Sequence, residues 1–327
     1  MIALVSASPG ASAALRSTYA HAQHIEHWSP LTAPAWLARL PGPIGRYSQR
    51  RTGDAKGAAP LLAVEAALRV WAGTATDRRY ASDFALRVAI DAWAAREVRR
   101  RHPRAVIAPS LAARQTFAAA RDIGAETILL LDLPLLRALH RDLDRAAHIW
   151  PQHSFLRRFR APSWAIARQE AERVLADRIL VRGAYAESLC ITDGIAATKL
   201  ERLPPPPSQH ISPSPAPPRR LRLAGLAAAR HGIDTALDVA RLLDAELVVR
   251  IGDGTEPADL ARRPNVLVER RDAPIPVDAI LCPAICETYP PELHLTGIPI
   301  IASPMASLDG AGPDPYDPRA FAAALLR

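Results

Sequence analysis

A glycine turn or a carboxylate at the end of a short apolar run sets backbone amides or an acceptor where a ligand can meet them. Met1–Ser6 is an apolar run that enters Ser8-Pro9-Gly10-Ala11-Ser12 and then a helical stretch from Ala13 to about His21. A strand, a glycine turn and a helix N-terminus present backbone N–H groups to an anion. Gly10 and Ser12 are therefore candidate donors to a phosphate or to a second substrate. Asp132 closes the apolar run Glu126–Asp132. There it could orient a hydroxyl or take its proton, and it could equally cap the turn before Pro134. Asp142-Leu-Asp144 has the spacing of a metal-binding pair but lies in a helical stretch, which reads as a solvated face. Cys282 and Cys286 share one Cys-x3-Cys spacing with no second pair, and Cys190 stands apart. Buried thiols in a reduced compartment are the better reading of all three, and no metal site is expected. No Gly-x-Gly-x-x-Gly follows a strand, which weighs against a dinucleotide-dependent oxidoreductase.

These residues need a scaffold, and the sequence is punctuated accordingly. Residues 29–60 are rich in Pro, Gly and Arg and read as loop with short helices. Helical periodicity covers Leu61–Trp71 and Ala81–Arg101. Short apolar runs at Ala105–Ala108 and Glu126–Asp132 flank a helical Leu111–Gly124, a βαβ unit that implies a parallel sheet. Helices at Leu135–Ala147 and Trp164–Ala176, a strand at Arg178–Val181 and a helix at Ala184–Asp193 follow, with Gly194 as stop signal. The tract from Pro204 to Pro218 cannot enter helix or sheet core and reads as a linker. Beyond it the alternation resumes: strands at Leu221–Ala224, Ala245–Ile251, Asn265–Glu269, Ala279–Cys282 and Pro299–Ala302, and helices at Asp234–Leu243, Glu292–Leu295 and Pro318–Leu326. The expected organisation is a first domain at 1–203, a linker at 204–220 and a compact second domain at 221–327. Both are doubly wound α/β, with a cleft between the carboxyl ends of their sheets.

The 327 residues suffice for two such cores. A net charge of +8 invites an anionic partner, yet the arginines are scattered, with short clusters at Arg99–Arg101, Arg157–Arg160 and Arg219–Arg222. Aromatics make up 5% of the chain, too few for base-stacking platforms, so no nucleic acid is expected. The segment His148–Trp164 mixes aromatic and basic residues; a packed loop is favoured over contact with a lipid-linked molecule. No signal peptide is legible, and no apolar run approaches the ~20 residues of a membrane span. The expectation is a cytoplasmic protein, with peripheral contact at the inner membrane face as its membrane alternative.

An ordered succession of motifs then resembles the group 1 retaining glycosyltransferases (family 4-like) of GT-B fold. Glu172-Arg-Val-Leu-Ala-Asp177-Arg-Ile-Leu-Val is similar to that family's signature near the end of its first domain, and Leu131-Asp132-Leu133-Pro134 to a subgroup of it. Gly225-Leu-Ala-Ala-Ala-Arg230-His231-Gly232 resembles the opening of its donor domain. Ile251-Gly252-Asp-Gly254, Val277-Asp278-Ala279 and Gly297-Ile-Pro299 follow in the same order. The likeness covers roughly residues 100–303. It implies two Rossmann-like domains facing a central cleft, with a UDP- or GDP-sugar as donor, a glycan or lipid-linked acceptor, and neither cofactor nor metal.

By that resemblance Glu292 would hold the ribose hydroxyls and Glu287 those of the donor sugar, while the plain reading keeps both as solvated loop glutamates. Arg230 and, when protonated, His231, with the loop amides of Glu287, Thr288 and Tyr289, would stabilise the departing diphosphate. Gly225 and Gly252 would line the donor site, and Asp132 would orient the acceptor. Three departures from the family stand out. Four residues separate Glu287 from Glu292 where the family has seven, His231 stands where lysine is usual, and the chain stops at Arg327 without the long crossing helix. A degenerate GT-B domain that binds without turnover, and a nucleotide-sugar epimerase on the same scaffold, are the alternatives these leave open.

Overall fold

A computed structural model describes residues 1–5, 25–28, 61–72, 76–153, 156, 160–203, 217–251, 260–269, 274–286, 298–307 and 309–326. In chain order the strands and α-helices are β1 (Ile2–Val5), β2 (Ile25–Trp28), α1 (Leu62–Ala72), α2 (Thr76–Arg101), β3 (Ala105–Pro109), α3 (Arg114–Asp122), β4 (Glu126–Leu130) and α4 (Leu136–Ile149). Next come α5 (Ser163–Leu175), β5 (Arg178–Val181), α6 (Ala184–Thr192), β6 (Leu200–Arg202), β7 (Arg220–Leu223), α7 (Ile233–Leu242) and β8 (Glu246–Val249). The last are β9 (Val266–Val268), β10 (Ala279–Cys282), β11 (Ile300–Ala302) and α8 (Pro318–Leu325).

Among these residues the strands form two sheets, one on either side of the proline tract, and every pairing is parallel. The first is six-stranded in the order β2-β1-β3-β4-β5-β6; the second is five-stranded in the order β11-β10-β7-β8-β9. Strands covered on both faces need continuous apolar runs, and β3 is buried along its whole length. Leu4, Ile107, Ile128, Leu130 and Leu180 pack one core; Leu221, Leu223, Leu247, Val249, Leu281 and Phe321 belong to the other. Each such side chain, fully buried, contributes roughly 1.5–3 kcal/mol.

The chain divides into two compact units: 1–136, 161–181 and 194–204 form one, and 137–160, 182–193 and 205–327 the other. Each contains one of the sheets. Within the second unit Tyr185 donates to Asp142 at 2.8 Å, the His153 Nε2 and Asp234 Oδ2 lie 2.7 Å apart, and Trp150 packs on Tyr316 with ring centroids 5.2 Å apart. Arg145 covers Tyr316 at 5.1 Å. Trp150 in the aromatic and basic segment is thus a packing residue, and Asp142 is tied to a tyrosine.

Several elements differ from their sequence expectation. Strand β2 is not evident from sequence, because Glu26 and His27 interrupt its apolar pattern; it pairs with β1 at the sheet edge. Helix α2 begins at Thr76, five residues earlier than the periodicity suggests. Helix α3 begins at Arg114 and not at Leu111, since Leu111 takes the left-handed φ of 67°. Strand β7 opens at Arg220, inside the stretch read as linker. The expected helices at 13–21 and 292–295, the loop region 29–60 and most of the proline tract lie outside the described residues.

Candidate functional site

Helix α3 has no side-chain cap of its own, and this organises the carboxyl edge of the first sheet. Its N-terminal amides meet two carboxylates from other helices. Glu172 on α5 accepts from Leu111 at 2.7 Å, Ala113 at 3.0 Å and Arg114 at 3.1 Å. Asp91 on α2 accepts from the amides of Gln115 and Thr116, both at 2.8 Å, and from the Thr116 hydroxyl at 2.7 Å. Anions at a helix N-terminus are stabilised there by the orphan N–H groups and the helix dipole. Arg168 pairs with Asp91 and lies 3.3 Å from Glu172, so one guanidinium serves both buried carboxylates. Burial pushes the Glu172 carboxyl up to about 7, against the pull of the Ala113 and Leu111 amides and Arg168, while Asp91 adds to the rise.

This network fixes the β3–α3 turn, and Asp132 joins it from the end of β4. Asp132 accepts from Arg87 Nη1 at 3.1 Å, Arg87 Nη2 at 2.8 Å and the Ser110 amide at 3.2 Å. Arg87 also donates to the Ser110 carbonyl at 2.7 Å. A carboxylate already accepting three hydrogen bonds, two from a guanidinium, suits orientation better than proton abstraction. Sequence reasoning missed Arg87, Asp91 and Ser110. The available signal was the spacing of four between Arg87 and Asp91 on a helix that also presents Phe84 and Ile90 to the core. In the family-like signature, Asp177 has a structural role. It accepts from the Thr127 amide and hydroxyl, both at 2.9 Å, and so registers β4.

In the second sheet the chain runs β7-β8-β9 to one side and then returns to β10 and β11 on the other, so the switch point lies between β7 and β10. Ligands of open parallel sheets bind at the carboxyl ends of such strands. Here Ala224 donates its amide to Leu281 at 2.8 Å, and a short 3-10 turn, Ala229–His231, follows. Ile285 donates to the Arg230 carbonyl at 3.2 Å, knitting the turn to the loop after β10. Gly232 has a φ of +77°, and a Cβ there would overlap the Pro283 carbonyl oxygen. Ser303 donates to the Ala284 carbonyl at 2.7 Å, adding the end of β11 to the same corner. Asp278, from the family-like stretch after residue 276, accepts from the amides of Arg219 and Arg220 at 2.9 Å and so anchors the start of β7.

Within this corner His231 is 8% exposed. Arg230 Nε donates to its Nε2 at 3.0 Å, and its Nδ1 faces the Ala224 carbonyl at 3.4 Å. Burial, then the adjacent Arg230 cation, hold the imidazole down at about 4. The condition under which His231 would add a second cation, protonation, is therefore not met near neutral pH, and the charge at this turn is that of Arg230. Gly225 has a φ of +80°, and a Cβ on it would overlap the imidazole Nδ1.

Of the residues singled out from sequence, Arg230, His231 and Gly225 come together at the β7–β10 switch point, while Asp132 belongs to the first sheet. Gly10, Ser12, Gly252, Glu287, Thr288, Tyr289 and Glu292 lie outside the described residues. All three cysteines are buried thiols. Among the described residues no cluster of His, Cys, Asp and Glu could hold a metal ion, and no helix is long and apolar enough to cross a membrane.

No family model matches the chain, and no curated protein matches it. Solved structures do. HepE from Anabaena, in complex with UDP and glucose, is similar over 99% of this chain and 88% of its own at a TM-score of 0.53 and 11% identity. The apo form of WaaB, a lipopolysaccharide outer core galactosyltransferase, is similar over 100% and 89% at 0.53 and 14%. UDP-GlcNAc 2-epimerase from Neisseria meningitidis, bound to UDP-GlcNAc, reaches 0.45 at 10% identity over 92% and 82%, too distant to carry an argument. The chain has the GT-B fold, with two parallel-sheet α/β domains.

Proposed function

We propose that this protein is a glycosyltransferase that takes a sugar from a UDP- or GDP-sugar and transfers it to the hydroxyl of a glycan or lipid-linked acceptor. The donor diphosphate sits at the β7–β10 corner of the C-terminal domain, the acceptor at the carboxyl edge of the first sheet. One observation carries the reading: a guanidinium, Arg230, stands at the topological switch point on a turn whose close packing requires glycine at Gly225 and Gly232. Negative charge grows on the leaving diphosphate as the glycosidic bond breaks, and a fixed cation lowers that barrier without a metal. Glu287 and Glu292 remain the carboxylates assigned to the sugar and ribose hydroxyls, with Thr288, Tyr289 and Gly252 beside them. Gly10 and Ser12 serve the phosphates or the acceptor. Transfer proceeds with retention, the acceptor attacking from the face that the diphosphate leaves, and Asp132 orienting it.

The test combines calorimetry with UDP and GDP and a turnover assay across nucleotide sugars and acceptors in excess chelator, with the product's anomeric coupling read by proton NMR. The expected result is binding of one nucleotide and a retained anomer. Binding of neither nucleotide rejects the donor site. Free nucleotide released from the donor sugar without an acceptor would make it an epimerase or hydrolase, and an inverted product overturns the mechanism.

A further inference from the structure

Arginine carries five N–H donors in a planar fork, and its usefulness to a diphosphate depends on which edge of the fork is presented. A long side chain on a short turn does not settle that by itself. In this turn the next residue takes part in the choice. The Arg230 Nε–H is given to His231 Nε2 at 3.0 Å, which fixes one edge of the guanidinium and the plane in which it lies. Accepting there means that Nε2 carries no proton, so the ring proton resides on Nδ1, the nitrogen facing the Ala224 carbonyl at 3.4 Å. The ring is wedged at 8% exposure into space that Gly225 leaves open, and any side chain at 225 would displace it.

We propose that His231 is a positioning residue: as a neutral Nδ1–H imidazole it accepts the Nε–H of Arg230 and turns the terminal nitrogens of that guanidinium to the donor diphosphate. This rests on the nucleotide-sugar reading of the β7–β10 corner. It gives histidine a role at that position opposite to that of a second cation. A protonated ring would lose the acceptor and set two positive charges side by side. Burial and Arg230, the charged neighbour acting on the ring, both oppose that state, while the backbone carbonyl of Ala224 favours it.

Two measurements test it. Nitrogen NMR on protein labelled at histidine should show His231 as the Nδ1–H tautomer at pH 7, unchanged down to about pH 5. An imidazolium or an Nε2–H tautomer at pH 7 overturns the proposal without recourse to any variant. Calorimetry with UDP and GDP then compares wild type with His231→Gln, whose Oε1 can accept in place of Nε2, and His231→Leu, which cannot. Leu should weaken binding by about threefold, less than removal of Arg230 itself, and lower kcat more than it raises KM, while Gln recovers most of both losses. Equal losses in the two variants, or none in Leu, reject the positioning role. Wild-type protein that binds neither nucleotide overturns the donor reading, and with it the ligand assigned here. In that case the tautomer alone still reports whether the His231–Arg230 bond exists.

Discussion

Arg87 and Asp132, 45 residues apart in sequence, meet as a two-point pair, with side chains 16% and 13% exposed. Their partner is the backbone of Ser110, whose amide donates to Asp132 and whose carbonyl accepts from Arg87. The pair therefore clamps the β3–α3 turn to the end of β4. Removing the cation strands a nearly buried carboxylate, so Arg87→Met should cost about 3–5 kcal/mol of stability. Asp132→Asn, which keeps an oxygen for the Ser110 amide, should cost less than Asp132→Ala. Urea unfolding of the three variants checks this, and an Arg87→Met loss below that of Asp132→Asn would contradict the clamp.

Glu172 gives a pH dependence with a definite sign. Its carboxyl titrates near 7 in the folded protein against an ordinary value of 4.5, chiefly because it is buried. Between those values the folded state binds more protons than the unfolded one. The stabilising contribution is therefore fully present below about pH 4.5 and is lost as pH rises through 7. The loss is on the order of 3 kcal/mol, at 1.36 kcal/mol per unit. Wild type should lose stability from pH 5 to pH 8 more steeply than Glu172→Gln, which has no charge to bury. Parallel slopes in guanidinium unfolding would remove Glu172 from the account.

These carboxylates mark where sequence reading stops. Strands such as β5 and β10 were legible to the residue, because Ile179–Val181 lies between Arg178 and Arg182, and Ala279–Cys282 between Asp278 and Pro283. The parallel pairing in both sheets followed from the βα alternation. The strand β2 was not legible, since a strand with one neighbour among the described residues can carry Glu26 and His27. Nor was the start of α3, whose caps lie 58 and 24 residues away on α5 and α2. At the β7–β10 corner, residue types were readable and charge state was not. His231 beside Arg230 looks like a second cation until burial and the 3.0 Å contact are known.

Glycine at 225 is required twice over, once by backbone and once by space, and the two costs can be separated. Gly194 offers the control: its φ is +83° and a Cβ there would meet nothing within 4 Å, whereas at Gly225, with φ +80°, it would overlap the His231 ring. Gly194→Ala should cost ~1–2 kcal/mol, the left-handed penalty alone. Gly225→Ala should cost more, by roughly 1–3 kcal/mol of overpacking. The double variant Gly225→Ala/His231→Ala should recover much of the overlap but none of the backbone term. A Gly225→Ala loss no larger than that of Gly194→Ala would show that the ring moves aside freely.

The remaining expectation concerns Arg230 itself. If its guanidinium meets charge that appears only as the sugar departs, its contribution must be larger in the transition state than in the donor complex. Arg230→Ala should then lower kcat about 100-fold, the effect of losing one donor aimed at a developing anion. Donor affinity should fall by about tenfold at most, as for one charge-assisted hydrogen bond. Arg230→Lys separates charge from geometry. An ammonium restores a positive charge near the diphosphate but has no Nε to give to His231, and it presents a point charge in place of a fork. It should therefore recover donor binding more fully than turnover. Steady-state kinetics with the cognate nucleotide sugar, set beside calorimetric affinities for the same variants, measure both quantities. Equal losses in affinity and kcat/KM, with kcat unchanged, would make Arg230 a ground-state anchor and move leaving-group stabilisation elsewhere in the corner.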